Sequence, residues 1–168
     1  MKTIWAPWRM AYIKSTKTAK EGDCFLCDIF RSSRDQANLV LKRGKKCVIV
    51  FNRYPYSSGH LMVAPIRHVA SLAAMTRPEV LEMMQLVNEC VGVLTKCLQP
   101  HGFNIGINLG EVAGAGLKDH LHMHVVPRWR GDTNFMPVLA DVKVMPESLE
   151  TLWKQLRSAL AKKAKRRK

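Results

Sequence analysis

No apolar run in this 168-residue sequence approaches the roughly 20 residues that a membrane-spanning helix needs, so a helical membrane body is not expected. The opening stretch, "MKTIWAPWRMAYIKS", carries Trp, Pro and Arg where a secretory signal would be continuously apolar, and a cytoplasmic chain is the expectation. Acidic residues are scarce: 13 Asp and Glu stand against 27 Lys and Arg, a net charge of +14. That balance favours nucleotides, nucleic acid or acidic surfaces as partners over cationic ones. The five cysteines are an odd number and indicate no disulfide framework. Cys47, Cys90 and Cys97 lie in apolar segments, where a reduced thiol behaves as a small hydrophobe. Internal repeats and low-complexity linkers are also missing. The longest polar interruption is "RSSRDQAN", Arg31 to Asn38, and one domain over residues 1–161 is expected.

Beyond that domain the sequence ends in "KKAKRRK", Lys162 to Lys168, whose six cations taken from +14 leave the body at +8. A solvated helix end and an RNA- or polyanion-binding tail both fit this composition. Within the body, alternation and β-branched content predict strands at about Lys46–Asn52, His60–Ala64, Phe103–Leu109 and Asp119–Val126, with a short fifth near Val142–Val144. A long amphipathic helix is predicted from Thr76, which with Pro78 and Glu79 forms a capping pattern, and its apolar positions run Val80, Met84, Val87, Val91, Leu94. A second begins at Pro146 and buries Leu149, Leu152, Trp153, Leu156 and Leu160. The class is therefore α+β.

The most informative stretch is "DHLHMHVVPRW", Asp119 to Trp129. In a strand, residues two apart share a face, so His120, His122 and His124 project together while Leu121, Met123 and Val125 enter the core. A single buried histidine is ordinarily a satisfied core residue, but three crowded on one face are costly unless they share a task. Arg128 follows the row. Upstream, "NLGEVAGAGLKD" supplies Asn108 and the glycines Gly110, Gly114 and Gly116, which fit either a flexible loop or backbone donors approaching an anion. Together these parts suit a phosphate beside a neutral imidazole. A separate motif, "CFLC", places Cys24 and Cys27 at a spacing suited to one metal ion or to a redox pair. The loop-like "KSTKTAKEGD" before it does not provide the strand-to-helix setting of a thioredoxin-type site.

The pattern "HLHMHVV", the PR after it and the upstream "FNRYPYSSGHLMVAPIRH" resemble the histidine-triad (HIT) superfamily of nucleotidyl hydrolases and transferases, over about Trp5 to Leu156. "WAPWRM" and "PRWRGDTNF" are most similar to a bacterial branch related to fragile-histidine-triad hydrolases and dinucleoside-polyphosphate phosphorylases. The resemblance implies a HIT fold, an antiparallel sheet of about five strands with two main helices. It further implies that His122 attacks the α-phosphorus of a dinucleoside polyphosphate or nucleoside phosphoramidate, giving a nucleotidyl-histidine resolved in a second step. His124 would contact the phosphoryl oxygens or leaving group, Asn52 the ribose hydroxyls, and Asn108 with Gly114, Ala115 and Gly116 the phosphate. Phosphorylase-like members carry Gly and Ser near Ala115 and Gly116, so this departure leaves the second acceptor open between water and inorganic phosphate. Zinc-bearing members carry ligands at positions matching His68 and His120, implying with Cys24 and Cys27 a structural Cys₂His₂ zinc site. A homodimer is the family habit. From a different class, a nucleotide- or RNA-binding module would use the same pocket without turnover. His60 is expected to pack or hydrogen-bond near the site, and His101 to lie on the surface.

Overall fold

The computed structural model describes residues 24–110, 112–113, 117, 119–132 and 147–165. Its elements, in order, are α1 (Phe25–Arg31), β1 (Val40–Arg43), β2 (Cys47–Phe51), β3 (Leu61–Pro65), α2 (Arg77–Leu98), β4 (Gly102–Ile107), β5 (Met123–Arg128) and α3 (Leu149–Lys165), with a 3₁₀ turn at Leu72–Ala74. The strands form one sheet in the order β1-β2-β3-β5-β4, and every neighbouring pair is antiparallel. This is the α+β arrangement expected, but the fifth strand is β1. The strand expected near Val142–Val144 lies outside the described residues. Helix α1 was also not foreseen, because its seven residues are too few to display a helical apolar period.

Strand pleating divides the core between the two faces of the sheet. Cys47, Ile49, Phe51, Leu61, Val63 and Val125 pack with α2 and α3 on one face, and Val48, Val50, Met62 and Ala64 pack with Leu26 and Phe30 of α1 on the other. Because both faces are covered, β2 and β3 are buried at every position, which explains their unbroken apolar runs. Cys47 and Cys90 lie in the larger core as expected. Helix α2 presents Met83, Leu86, Val87, Cys90, Val93 and Leu94 inward, while Val80 and Met84 are 44% and 50% exposed. The predicted stripe was therefore rotated toward solvent at its start, since Val80, Leu81, Met83 and Met84 offered two competing apolar faces. In α3 the foreseen Leu152, Leu156 and Leu160 are buried, and the Trp153 indole N–H donates to the Val40 carbonyl at 2.8 Å. This helix continues to Lys165 and so includes the first residues of the basic run. Among the described residues, no helix is long and apolar enough to cross a membrane.

The N-terminus of α2 is tied to the loop after β3. The buried Glu79 carboxylate accepts from the Thr76 backbone N–H at 2.8 Å, completing the foreseen reach back to the cap, and from Arg67 Nε and a second guanidinium N–H at 3.0 and 2.8 Å. Chiefly through Arg67, then Thr76, its acid is held at about 2, below the ordinary 4.5. A carboxyl depressed on folding stabilises above its unfolded value and loses that contribution as pH falls toward the folded one. Glu79→Gln is expected to cost about 1–3 kcal/mol at pH 7, measured by denaturant unfolding, with the gap to the parent closing between pH 4.5 and 2. A gap that is constant across that window would contradict the assignment.

Candidate active site and metal centre

His124 pairs with Met62 across β5 and β3 and therefore belongs to the α1 face of the sheet. His120 and His122 lie just before β5, which begins at Met123, so the strand expected from Asp119 starts later. The chain there is nevertheless held in place: the Leu121 N–H donates to the Val69 carbonyl at 2.7 Å. All three triad histidines are buried. Their ring protons follow from their partners.

His122 Nδ1 stands 2.8 Å from the carbonyl oxygen of His120. Only a protonated Nδ1 can donate there, which leaves Nε2 with its lone pair. His60 Nδ1 accepts the Tyr56 backbone N–H at 3.0 Å, so His60 carries its proton on Nε2 and donates it to His124 Nδ1 at 2.9 Å. His124 is thereby left with an Nε2–H donor. Burial lowers the pKa of His122, and burial followed by the neighbouring His122 lowers that of His124 to about 4. The pair thus offers one neutral nucleophilic nitrogen and one neutral donor, with ring centroids 4.8 Å apart. The signal for His60 was present in "GHLMVAP": an even-numbered position preceding β3 shares the face of Met62, opposite His124.

At the other end of the row, His120 Nε2 donates to the Pro65 carbonyl at 2.8 Å, and burial chiefly lowers its pKa. Its Nδ1 lies 3.1 Å from Cys24 Sγ and 3.5 Å from Cys27 Sγ, and His68 Nδ1 lies 3.4 Å from Cys27 Sγ. Four donors set about 2.0–2.3 Å from a tetrahedral zinc stand roughly 3.3–3.8 Å apart. The four donor atoms here all fall within 4.8 Å of one another, so the residues fit such an ion. Burial pushes the Cys24 thiol up to about 11, a cost that a bound cation offsets by stabilising thiolate. Structure thus brings together the four residues named from sequence, and His120's other ring nitrogen is engaged by backbone, as is usual for a metal-binding imidazole.

The remaining expected contacts are distributed around this row. Asn52 is half-buried, with Oδ1 accepting the Tyr54 N–H at 2.9 Å and Nδ2 lying 3.4 Å from His60 Nδ1. Asn108 directly follows Ile107, the last residue of β4, which pairs with Met123 at the start of β5. Gly114, Ala115 and Gly116 lie outside the described residues. Arg128 does not offer its charge to the row: its guanidinium donates to the Asp132 carboxylate at 2.5 and 2.9 Å and to the side-chain Oδ1 of Asn104 at 2.7 Å. His101 is exposed, as expected, and accepts the Arg130 N–H at 2.9 Å.

A family model described as "HIT domain" matches residues 33–131. The chain belongs to the HIT family. Similar HIT relatives include the "AP-4-A phosphorylase" of Mycobacterium tuberculosis, 39% identical over 155 residues that span 89% of this chain and 79% of the relative. The "Bis(5'-nucleosyl)-tetraphosphatase [asymmetrical]" of Schizosaccharomyces pombe is 32% identical over 93 residues, 55% of this chain and 50% of that one. Both bear enzyme names. Among solved structures, a Zn-bound histidine triad family protein from Mycobacterium smegmatis superposes with a TM-score of 0.68 at 26% identity, covering 85% of this chain and 96% of the other. The HIT chain thus combines a family-typical sheet with a Cys/His cluster suited to a metal.

Proposed function

We propose that this HIT protein cleaves dinucleoside polyphosphates, or nucleoside phosphoramidates, at the α-phosphate through a nucleotidyl-histidine on His122. The observation that carries the reading is the 2.8 Å contact between His122 Nδ1 and the His120 carbonyl, which leaves Nε2 available for attack. An Nε2–phosphorus bond forms as the bond from phosphorus to the leaving group breaks: a nucleoside polyphosphate departs as an anion with the electron pair, and the nitrogen of a phosphoramidate departs as an amine after taking the His124 Nε2 proton. The adduct ring keeps its Nδ1 proton and is cationic, and the His120 carbonyl offsets that charge. His124 Nε2–H donates to oxygen where negative charge collects. Asn52 binds the ribose hydroxyls, and Asn108 with Gly114, Ala115 and Gly116 the phosphate. In the second step, water or inorganic phosphate attacks the phosphorus and releases His122.

The relative named AP-4-A phosphorylase favours phosphate as a second reading of the acceptor. The acceptors are distinguishable with diadenosine tetraphosphate: hydrolysis yields AMP and ATP, and phosphorolysis yields ADP and ATP. Quenching the parent protein during turnover of an α-labelled substrate is expected to leave acid-labile label on the chain. His122→Ala is expected to carry none and to turn over roughly a thousandfold more slowly or worse. Equal label on both proteins would contradict the reading.

The same reading includes a structural zinc held by Cys24, Cys27, His68 and His120, supplying the positive charge that keeps the thiolates deprotonated and braces α1 against the triad. About one zinc per chain is expected by elemental analysis. Cys24→Ser is expected to lose most of it and to unfold at lower temperature, while label formed per folded molecule falls less. Full zinc retention by Cys24→Ser would contradict the ligand set. A homodimer and polyanion binding by the basic run Lys162–Lys168 extend the reading. Sedimentation of the protein, and RNA retention at low and high salt with and without residues 162–168, test them.

A further inference from the structure

Helix α1 carries Cys24 at its N-cap and Cys27 in its first turn, and the Cys27 N–H donates to Cys24 Sγ at 3.5 Å. A helix of seven residues does not hold itself together in water, so its placement depends on what it packs and bonds against. Leu26 and Phe30 supply the packing. The bonding comes from one side chain, at the end of the helix away from the cysteines. The last carbonyls of a helix have no partner within it, and Arg43 of β1 takes them. Its Nη1 donates to the Phe30 carbonyl at 2.6 Å, and its Nη2 to the Ile29 and Ser32 carbonyls at 3.4 and 2.5 Å. Asp35 completes the arrangement, its carboxylate accepting from Arg43 Nε at 2.9 Å.

A regular strand would not deliver Arg43 to this place. Val40 faces α1 together with Val48 and Val50, so strict alternation would put Lys42 on the α1 face and turn Arg43 toward α2. The register shift between Val40 and Lys42 instead sets Lys42 opposite Ile49 and Arg43 opposite Val48. Lys42 accordingly reaches Glu89 of α2 at 2.6 Å, and Arg43 comes to the α1 face. Re-aiming a side chain is a recurrent use of such irregularities. Phe30 then links the two ends of the arrangement. Its carbonyl is bound by Arg43, while its ring meets the His120 ring edge-on, with centroids 5.9 Å apart and 82° between the planes.

We infer that Arg43 is a positioning residue for the Cys/His cluster: its guanidinium fixes where α1 ends, and thereby how Cys24 and Cys27 stand to His68 and His120. This rests on the zinc reading above and extends it to a residue that is not itself a ligand. Lysine is no substitute, because its ammonium lacks the planar fork that spans separate acceptors. A metal site tolerates little displacement of its donors, so a loosened α1 shows as weaker metal binding by protein that is still folded.

The test is competition for Zn²⁺ between a chelator and the full-length parent, Arg43→Lys, Arg43→Met and Arg157→Met proteins, read where circular dichroism shows each folded. Arg157 donates to the Leu41 carbonyl from α3 and controls for loosening β1 as such. Both Arg43 variants are expected to bind zinc about tenfold more weakly or worse, the scale on which outer supports of a metal site act, and Arg157→Met within about twofold of the parent. Co²⁺ loaded in place of zinc reads the donor geometry. The parent and Arg157→Met are expected to show the intense visible absorption of a tetrahedral thiolate site, and the Arg43 variants weakened and shifted bands. Parental zinc affinity and cobalt spectra in both Arg43 variants, or an equal loss in Arg157→Met, overturn the positioning role and leave the zinc reading standing. A parent protein that takes up neither ion overturns the zinc reading itself, and this inference with it.

Discussion

Three bonds made by one residue organise the site. His120 donates from Nε2 to the Pro65 carbonyl, turns Nδ1 toward the thiols of Cys24 and Cys27, and accepts His122 Nδ1–H on its own carbonyl oxygen. The first bond fixes the ring's tautomer. The second makes that ring part of a Cys/His cluster, and the third fixes which nitrogen of His122 is unprotonated. A residue that looks like one member of a row of three therefore connects the Cys/His cluster to the His122 ring through its main chain. Tilting His120 would disturb both at once.

The second half of the triad is set independently. His124 receives its tautomer from His60, and His60 receives its own from the Tyr56 amide, without passing through the metal cluster. The two tautomer settings are complementary, one leaving a lone pair on Nε2 and the other a proton. Burial keeps both rings neutral by penalising the charged form. Electrostatics and hydrogen bonding thus act in the same direction, so an imidazole with a free Nε2 lone pair and one with an Nε2–H coexist with ring centroids 4.8 Å apart.

Much of this was legible because strand periodicity is short and strict. The alternation in "HLHMHVV" put Leu121, Met123 and Val125 on the core side, and family resemblance named Cys24, Cys27, His68 and His120, whose donor atoms lie within 4.8 Å of one another. What was missed depended on longer-range geometry. Strand β1 is short and half cationic, with Lys42 and Arg43 among its four residues, Leu39 in a left-handed conformation at φ 57° before it, and its pairing with β2 interrupted by a register shift at Val40/Lys42. Arg128, read as a cation beside the triad, is bound to Asp132 four residues later in a turn that composition did not reveal. His60 hydrogen-bonds near the site as expected, but the tautomer it imposes on His124 depends on a backbone amide from Tyr56 reaching its ring, a contact that no linear spacing encodes.

The central claim is that the His120 main chain selects the His122 tautomer that leaves Nε2 free. Long-range ¹H–¹⁵N correlation spectra of the histidine rings at neutral pH measure this directly, because protonated and unprotonated ring nitrogens resonate far apart. The account predicts that His122 is protonated at Nδ1 and unprotonated at Nε2, with His124 showing the reverse. A His122 ring protonated at Nε2, or one averaging between both tautomers, would contradict it.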